Sequence, residues 1–120
     1  MSKIIPIKEN FLFSKVYAKG KKSSEKNVVV YILRNYRSKD TCLGITTGKK
    51  IGGAVLRSRA RRLIREAYRN LADGHKFRYP CLIVVVARTA ITDPHRKMGE
   101  VLSDLDHAFS KLGIYADEMI

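Results

Sequence analysis

Residues 49–69, KKIGGAVLRSRARRLIREAYR, constrain this chain more than any other stretch. They hold eight of the 24 Lys and Arg residues and a single acid, Glu66, so more than half of the formal net charge of +13 sits here. At about 100° per residue, Leu56, Ala60, Leu63, Ile64, Ala67 and Leu71 fall on one helical face. Arg61, Arg62, Arg65 and Arg69 fall on the opposite face with Ser58 among them, and Arg57 and Arg59 lie at its two rims. The pattern predicts an amphipathic helix whose apolar stripe packs on a core. A solvated helix face is the ordinary origin of a charge run, but such faces mix signs through i,i+4 pairs. Six arginines beside one glutamate repel one another unless a polyanion is near. Arginine suits phosphate, because its planar fork binds two oxygens at once. Lys49 and Lys50, followed by Gly52 and Gly53, lead into this helix.

The rest of the composition narrows the partner. At 120 residues and 45% hydrophobic content, residues 1–120 form one domain with a single core. No apolar run approaches the ~20 residues that span a membrane, and Pro6, Lys8 and Glu9 interrupt any signal-like start. The expected location is the cytoplasm. A net +13 favours nucleic acid over an anionic membrane, since the chain has no Trp and few bulky anchors. Cys42 and Cys81 have no CxxC or Cys/His companion and read as reduced, buried thiols.

Along the chain, residues 1–9 read as an irregular entry. Asn10 is placed to cap a helix over about 11–19, which Gly20 ends. On that helix Leu12 and Val16 form a core pair, and Phe13 and Tyr17 form a second pair at the stripe edge. Residues 21–26 read as a polar loop, and NVVVYILRN as a β-branched strand with Tyr31, Val29 and Leu33 on one face. Residues 34–40 have the character of a hairpin loop, with TCLGITTG as the returning strand and Gly44 a bulge or close-approach site. The arginine helix fades near Ala72 and Asp73, with Gly74 as its stop. CLIVVVA then reads as a strand buried on both faces, with Arg88 at its end. Asp93-Pro94 reads as the start of a last helix, whose Met98, Val101, Leu102, Leu105, Phe109 and Leu112 pack on the sheet. The order predicts an α+β fold, a small α/β sandwich.

Nothing in the chain reads as a protein active site. His75, His95 and His107 are isolated, the acids are scattered, and no nucleophile, phosphate-loop or dinucleotide motif occurs. The catalytic and metal-ligand sets are therefore expected to be empty.

The run KKIGGAVLRSRARRLIREAYR resembles the KK[IV]GNAVxRNRxKRxxRE signature of the protein subunit of bacterial ribonuclease P. Phe13-xxx-Tyr17-xx-Gly20, Tyr31, LGITTGKK and VVVARTA resemble the neighbouring family features, so the likeness covers about residues 8–115. The resemblance implies a fold like the second domain of a small-subunit ribosomal protein. Its central, mostly four-stranded sheet carries an N-terminal helix, an arginine-rich crossover helix and a C-terminal helix. It also implies a left-handed crossover, against the right-handed hand of about 98% of such connections.

In function it implies an endoribonuclease holoenzyme that removes the 5′ leader of precursor tRNA, with catalysis in the RNA subunit and Mg²⁺ held mainly by that RNA. The implied partners are the catalytic RNA and precursor tRNA, with no membrane and no obligate protein partner. Lys49, Lys50, Arg57, Ser58, Arg59, Arg61, Arg62, Arg65 and Arg69 are the expected contacts to the catalytic RNA. Phe13, Tyr17, Tyr31 and Arg88 are the expected contacts to the leader. Four positions depart from the family pattern: Gly53 and Ser58 replace asparagines, Gly48 a serine and Cys42 a basic residue. Losing both asparagine amides removes hydrogen-bonding groups that relatives could use for RNA or metal. The rival reading is a ribosomal or ribosome-assembly RNA-binding protein. A DNA groove reader fits less well, because the arginine helix offers only Ser58, Glu66 and Asn70 for base edges.

Overall fold

The computed structural model describes residues 4–116. Five strands form one sheet in the order β1 (Ile5–Pro6), β4 (Cys42–Thr46), β5 (Cys81–Ala87), β3 (Val28–Arg34), β2 (Lys21–Ser24). Helix α1 (Asn10–Lys19) covers one face, while α2 (Ala54–Gly74) and α3 (Met98–Lys111) cover the other. Alternation along the strands explains the division, since successive side chains point to opposite faces. Val28, Val30, Ile32, Ile83 and Val85 join Ala60, Ile64, Ala67, Leu71, Val101, Leu105 and Phe109 beneath α2 and α3. Tyr31, Leu33, Leu82, Val84 and Val86 meet Ile7, Leu12, Phe13 and Val16 under α1. Strand β5 is the central element, and its unbroken apolar run is buried on both faces.

Several expectations are corrected by this topology. The polar residues 21–24 form an edge strand antiparallel to β3, in which Ser23 is buried and the flanking residues are exposed. Lys and Ser are usual on protected edges, which is why the stretch carried no apolar signal. Ile5–Pro6 adds a fifth strand parallel to β4, and a proline is tolerated at such an edge. Strands β3 and β4 are not a hairpin: β5 inserts between them, antiparallel to β3 and parallel to β4. Helix α2 is thus the crossover between the adjacent parallel strands β4 and β5.

Helix ends also moved. The cap position of α1 is Glu9 rather than Asn10, and α2 continues through Gly74 to a cap at His75. The last helix starts at Met98, not at Pro94. The Asp93 carboxylate instead accepts the His95 N–H at 2.9 Å, in a turn that follows the short 3₁₀ segment Thr89–Thr92. An Asp-Pro pair serves a turn as readily as a helix start, and here the turn wins. Leu56, assigned to the apolar stripe, is 39% exposed, and Tyr68, which was not assigned to it, is buried.

Gly44 is a close-approach site, as its place in the strand suggested. A Cβ there would lie 2.5 Å from Cε1 of Phe13, so α1 can seat its ring on the sheet only because no side chain intervenes. Gly44→Ala is expected to destabilise the fold by about 1–3 kcal/mol through overpacking. Urea denaturation measures it; an unchanged midpoint would show that Phe13 is not seated there.

Candidate nucleic-acid interface

Burial of Ala60, Ile64, Ala67 and Leu71 fixes the rotation of α2 and decides where each arginine goes. Arg61, Arg62 and Arg65 are exposed, as is Ser58, and Arg69 is half-buried. Among the described residues none of these four arginines has an acidic partner. The rim arginines behave differently. Nε of Arg57 donates to the Thr47 carbonyl at 3.1 Å. The Arg59 guanidinium donates to the carbonyls of Ile91, Asp93, Pro94 and Arg96, at 3.4 Å and 3.2 Å for the first two. It thereby ties residues 91–96 to α2. A guanidinium has five N–H donors, and this one is already committed to the protein.

The same segment is held from within by Arg96, a buried residue that the sequence did not single out. It donates to the Ala90 carbonyl and pairs with Glu100 and Asp93. The Asp93 carboxyl lies below its ordinary pKa because it accepts the His95 backbone N–H, and Glu100 lies below its own because it accepts from Arg96.

On the other side of α2 the arginines meet the α1 face of the sheet. Arg61, Arg65 and Arg69, one helical turn apart, line a hollow of about 420 Å³ with Ile7, Phe13 and Gly44. A second hollow of about 330 Å³ shares Phe13, Ile45 and Arg61 with the first and adds Asn10, Tyr17, Thr46 and Thr47. Here the Tyr17 hydroxyl lies 3.1 Å from Oγ1 of Thr46, and the Tyr17 and Tyr31 rings meet edge to face at 5.0 Å. The Thr47 hydroxyl is buried and has no hydrogen-bond partner among the described residues. A third hollow of about 550 Å³ shares Thr46 with the second and holds Lys49, Lys50 and Arg88 over a floor that includes Ile51 and Val86. Nη1 of Arg88 donates to the Glu25 carbonyl at 2.8 Å, which fixes it at that rim.

The three hollows adjoin through shared residues and make one track: arginine row, aromatic floor, lysine pair. The fold therefore brings together Phe13, Tyr17, Tyr31, Arg61, Arg65, Arg69, Lys49, Lys50 and Arg88, which the sequence divided between two RNAs. Arg62 and Ser58 are exposed and line none of the three hollows. Thr46 and Thr47 were missed as site residues, although strand alternation already placed Thr46 beside Gly44 on the α1 face. Gly53 stands at the cap position of α2, where no side chain caps the helix and a Cβ would meet open space.

Neither cysteine is set up as a thiolate. Burial pushes the Cys81 thiol up to about 12, and Cys42 is raised for the same reason. Both stay protonated at neutral pH. The arrangement can bind a flexible polyanion with stackable bases.

The geometry separates two kinds of arginine, and substitution can distinguish them. Arg59→Ala is expected to cost about 1–3 kcal/mol of stability through its lost charged hydrogen bonds, while leaving the salt dependence of RNA binding nearly unchanged. Arg62→Ala with Arg65→Ala is expected to preserve stability and to flatten the salt slope by about 0.7–0.9 per lost phosphate contact. Denaturation and titrations at several salt concentrations read both; the reverse pattern would contradict the division.

Comparison with known proteins gives the family. The family model described as Ribonuclease P matches residues 1–113. The ribonuclease P protein component of Clostridium acetobutylicum is 38% identical over 113 residues, covering 90% of this chain and 88% of that protein. That of Bacillus pumilus is 33% identical over 118 residues, covering 98% and 96%. Among solved structures, the Staphylococcus aureus RNase P protein superposes with a TM-score of 0.79 at 29% identity, covering 94% of this chain and 99% of that one. The Thermotoga maritima RNase P protein, at 22% identity and a TM-score of 0.70, shares the fold. The chain belongs to the ribonuclease P protein family.

Proposed function

We propose that the track between α1, the sheet and α2 holds the single-stranded 5′ leader of precursor tRNA, while the outward arginines of α2 hold the catalytic RNA. Family membership supplies the activity class: an RNA-binding protein component of an endoribonuclease that acts in tRNA 5′ processing. The observation that carries the finer reading is the seating of Phe13 on Gly44, with Tyr17 beside it and Arg61 at the rim. Aromatic rings in a groove bordered by unpaired cations suit an unpaired strand. Each stacked base contributes about 1–3 kcal/mol with little sequence preference. Leaders of many sequences can therefore use the same floor.

Discrimination follows from what the leader is. Only the precursor carries it, so every contact in the track favours substrate over product. Arg61, Arg65 and Arg69 stand where leader and catalytic RNA would meet and reduce the repulsion between two polyanions. Arg62, on the outer face, is assigned to the catalytic RNA alone. Lys49, Lys50 and Arg88 take the leader phosphates where the strand leaves the aromatic floor.

Among the described residues no three His, Cys, Asp or Glu side chains converge in a metal-ligand group. Mg²⁺ prefers phosphate oxygens and water, and the track is lined by cations that repel it, so we assign that ion mainly to the RNA subunit. No described helix is long and apolar enough to cross a membrane, and we place the protein in the cytoplasm with its RNA partners.

Tyr17 is 40% exposed, so it can be replaced without opening the core. Tyr17→Ala is expected to weaken precursor binding by the reconstituted holoenzyme about fivefold or more and to leave mature tRNA binding unchanged. Tyr17→Phe, which keeps the ring, should bind like the native protein. Equal losses for precursor and mature tRNA would refute the leader assignment.

A further inference from the structure

A second basic and aromatic surface lies on the other flank of α1. At about 100° per residue, Phe11, Lys15 and Lys19 form a row separated from Phe13 and Tyr17 by half-buried Leu12 and buried Val16. This row leads to the loop after β3. There the Arg34 guanidinium lies over two rings, 5.2 Å from the centroid of Tyr36 and 4.8 Å from that of Tyr79. Arg37 lies 5.3 Å over Phe11. Lys19, Lys21, Arg34, Tyr36 and Tyr79 border a hollow of about 250 Å³. Tyr36 is 82% exposed and Phe11 52%. Such exposure of large rings is not what core packing produces.

The loop that carries Tyr36 is built, not loose. Asn35 is buried, and its backbone N–H donates to the Pro80 carbonyl at 2.8 Å. Its amide donates to Oγ of Ser38 at 3.1 Å and to the Asp40 carbonyl at 2.8 Å, and its Oδ1 accepts the Arg37 N–H at 3.0 Å. Much of the entropy of ordering the loop is therefore spent before any partner arrives, which favours binding. Among the described residues no acid pairs with Lys19, Lys21, Arg34 or Arg37. A ring held open beside an unpaired guanidinium offers a base a stacking face and its phosphate a fork.

We infer that Tyr36, with Arg34 beneath it, is a stacking platform for an unpaired nucleotide, so that α1 is straddled by two contacts to single-stranded RNA. The nucleotide belongs to one of two sources: the leader beyond the stretch held by Phe13 and Tyr17, or an unpaired loop of the catalytic RNA. The inference rests on the RNA-binding reading above and adds a site to it.

The test uses the reconstituted holoenzyme for precursor tRNA and the full-length protein for labelled catalytic RNA. One precursor carries a leader of a few nucleotides and another a leader several-fold longer. Tyr36→Ala should weaken binding about fivefold or more, and Tyr36→Phe should not, with melting temperatures unchanged because the ring is exposed. A loss confined to the long-leader precursor makes the nucleotide the leader's; a loss in binding to the RNA subunit assigns it there. If the native protein binds all three RNAs and Tyr36→Ala binds them equally well, the platform is overturned while the leader track stands. A native protein that binds none would overturn the underlying reading as well.

Discussion

The rest of the molecule depends on how α2 tolerates its own charge. Like charges one turn apart destabilise a helix by about 0.2–0.5 kcal/mol per pair. Arg61, Arg65 and Arg69 form such a row, and among the described residues none of them is in an ion pair. Burying Ala60, Ile64, Ala67, Tyr68 and Leu71 against the sheet and α3 works the other way. At about 1.5–3 kcal/mol for each large apolar side chain, burial exceeds the repulsion several-fold. The helix can therefore present unpaired guanidinium groups in the free protein.

The arginines at the two rims are absorbed by the fold. Arg57 and Arg59 turn back onto carbonyls, and Arg59 fastens the segment that leads into α3. Their charges still add to the field that draws a polyanion, but their donors are already in use. The fully outward positions keep both charge and donors. One helix thus carries structural and solvent-facing arginines, separated by about 100° of rotation from residue to residue.

Much of this was legible in the sequence. The 3.6-residue period of α2 and α3 and the apolar run of β5 placed the core, and the arginine spacing placed the charged face. Tyr31 was correctly paired with Val29 and Leu33, and Gly44 was correctly marked as a place of close approach. Pairing partners were not legible. Nothing local distinguishes a returning hairpin strand from one whose neighbour arrives forty residues later, so β5 between β3 and β4 came only with the fold. The edge strand Lys21–Ser24 was hidden because edges are protected by polar residues. The carbonyl clamp on Arg59 was hidden because its acceptors are backbone atoms, which carry no residue-type signal. The rim position of Arg59 on the helical wheel was the one hint.

The central claim is that this surface joins a catalytic RNA to its precursor substrate. Reconstitution tests it most directly: the protein is mixed with a bacterial ribonuclease P RNA and labelled precursor tRNA at low Mg²⁺, and release of the 5′ leader is followed. Cleavage is expected to far exceed that of the RNA alone, with the gain diminished by Tyr17→Ala. Cleavage no faster than with RNA alone, under conditions where a related protein component supports it, would contradict the account.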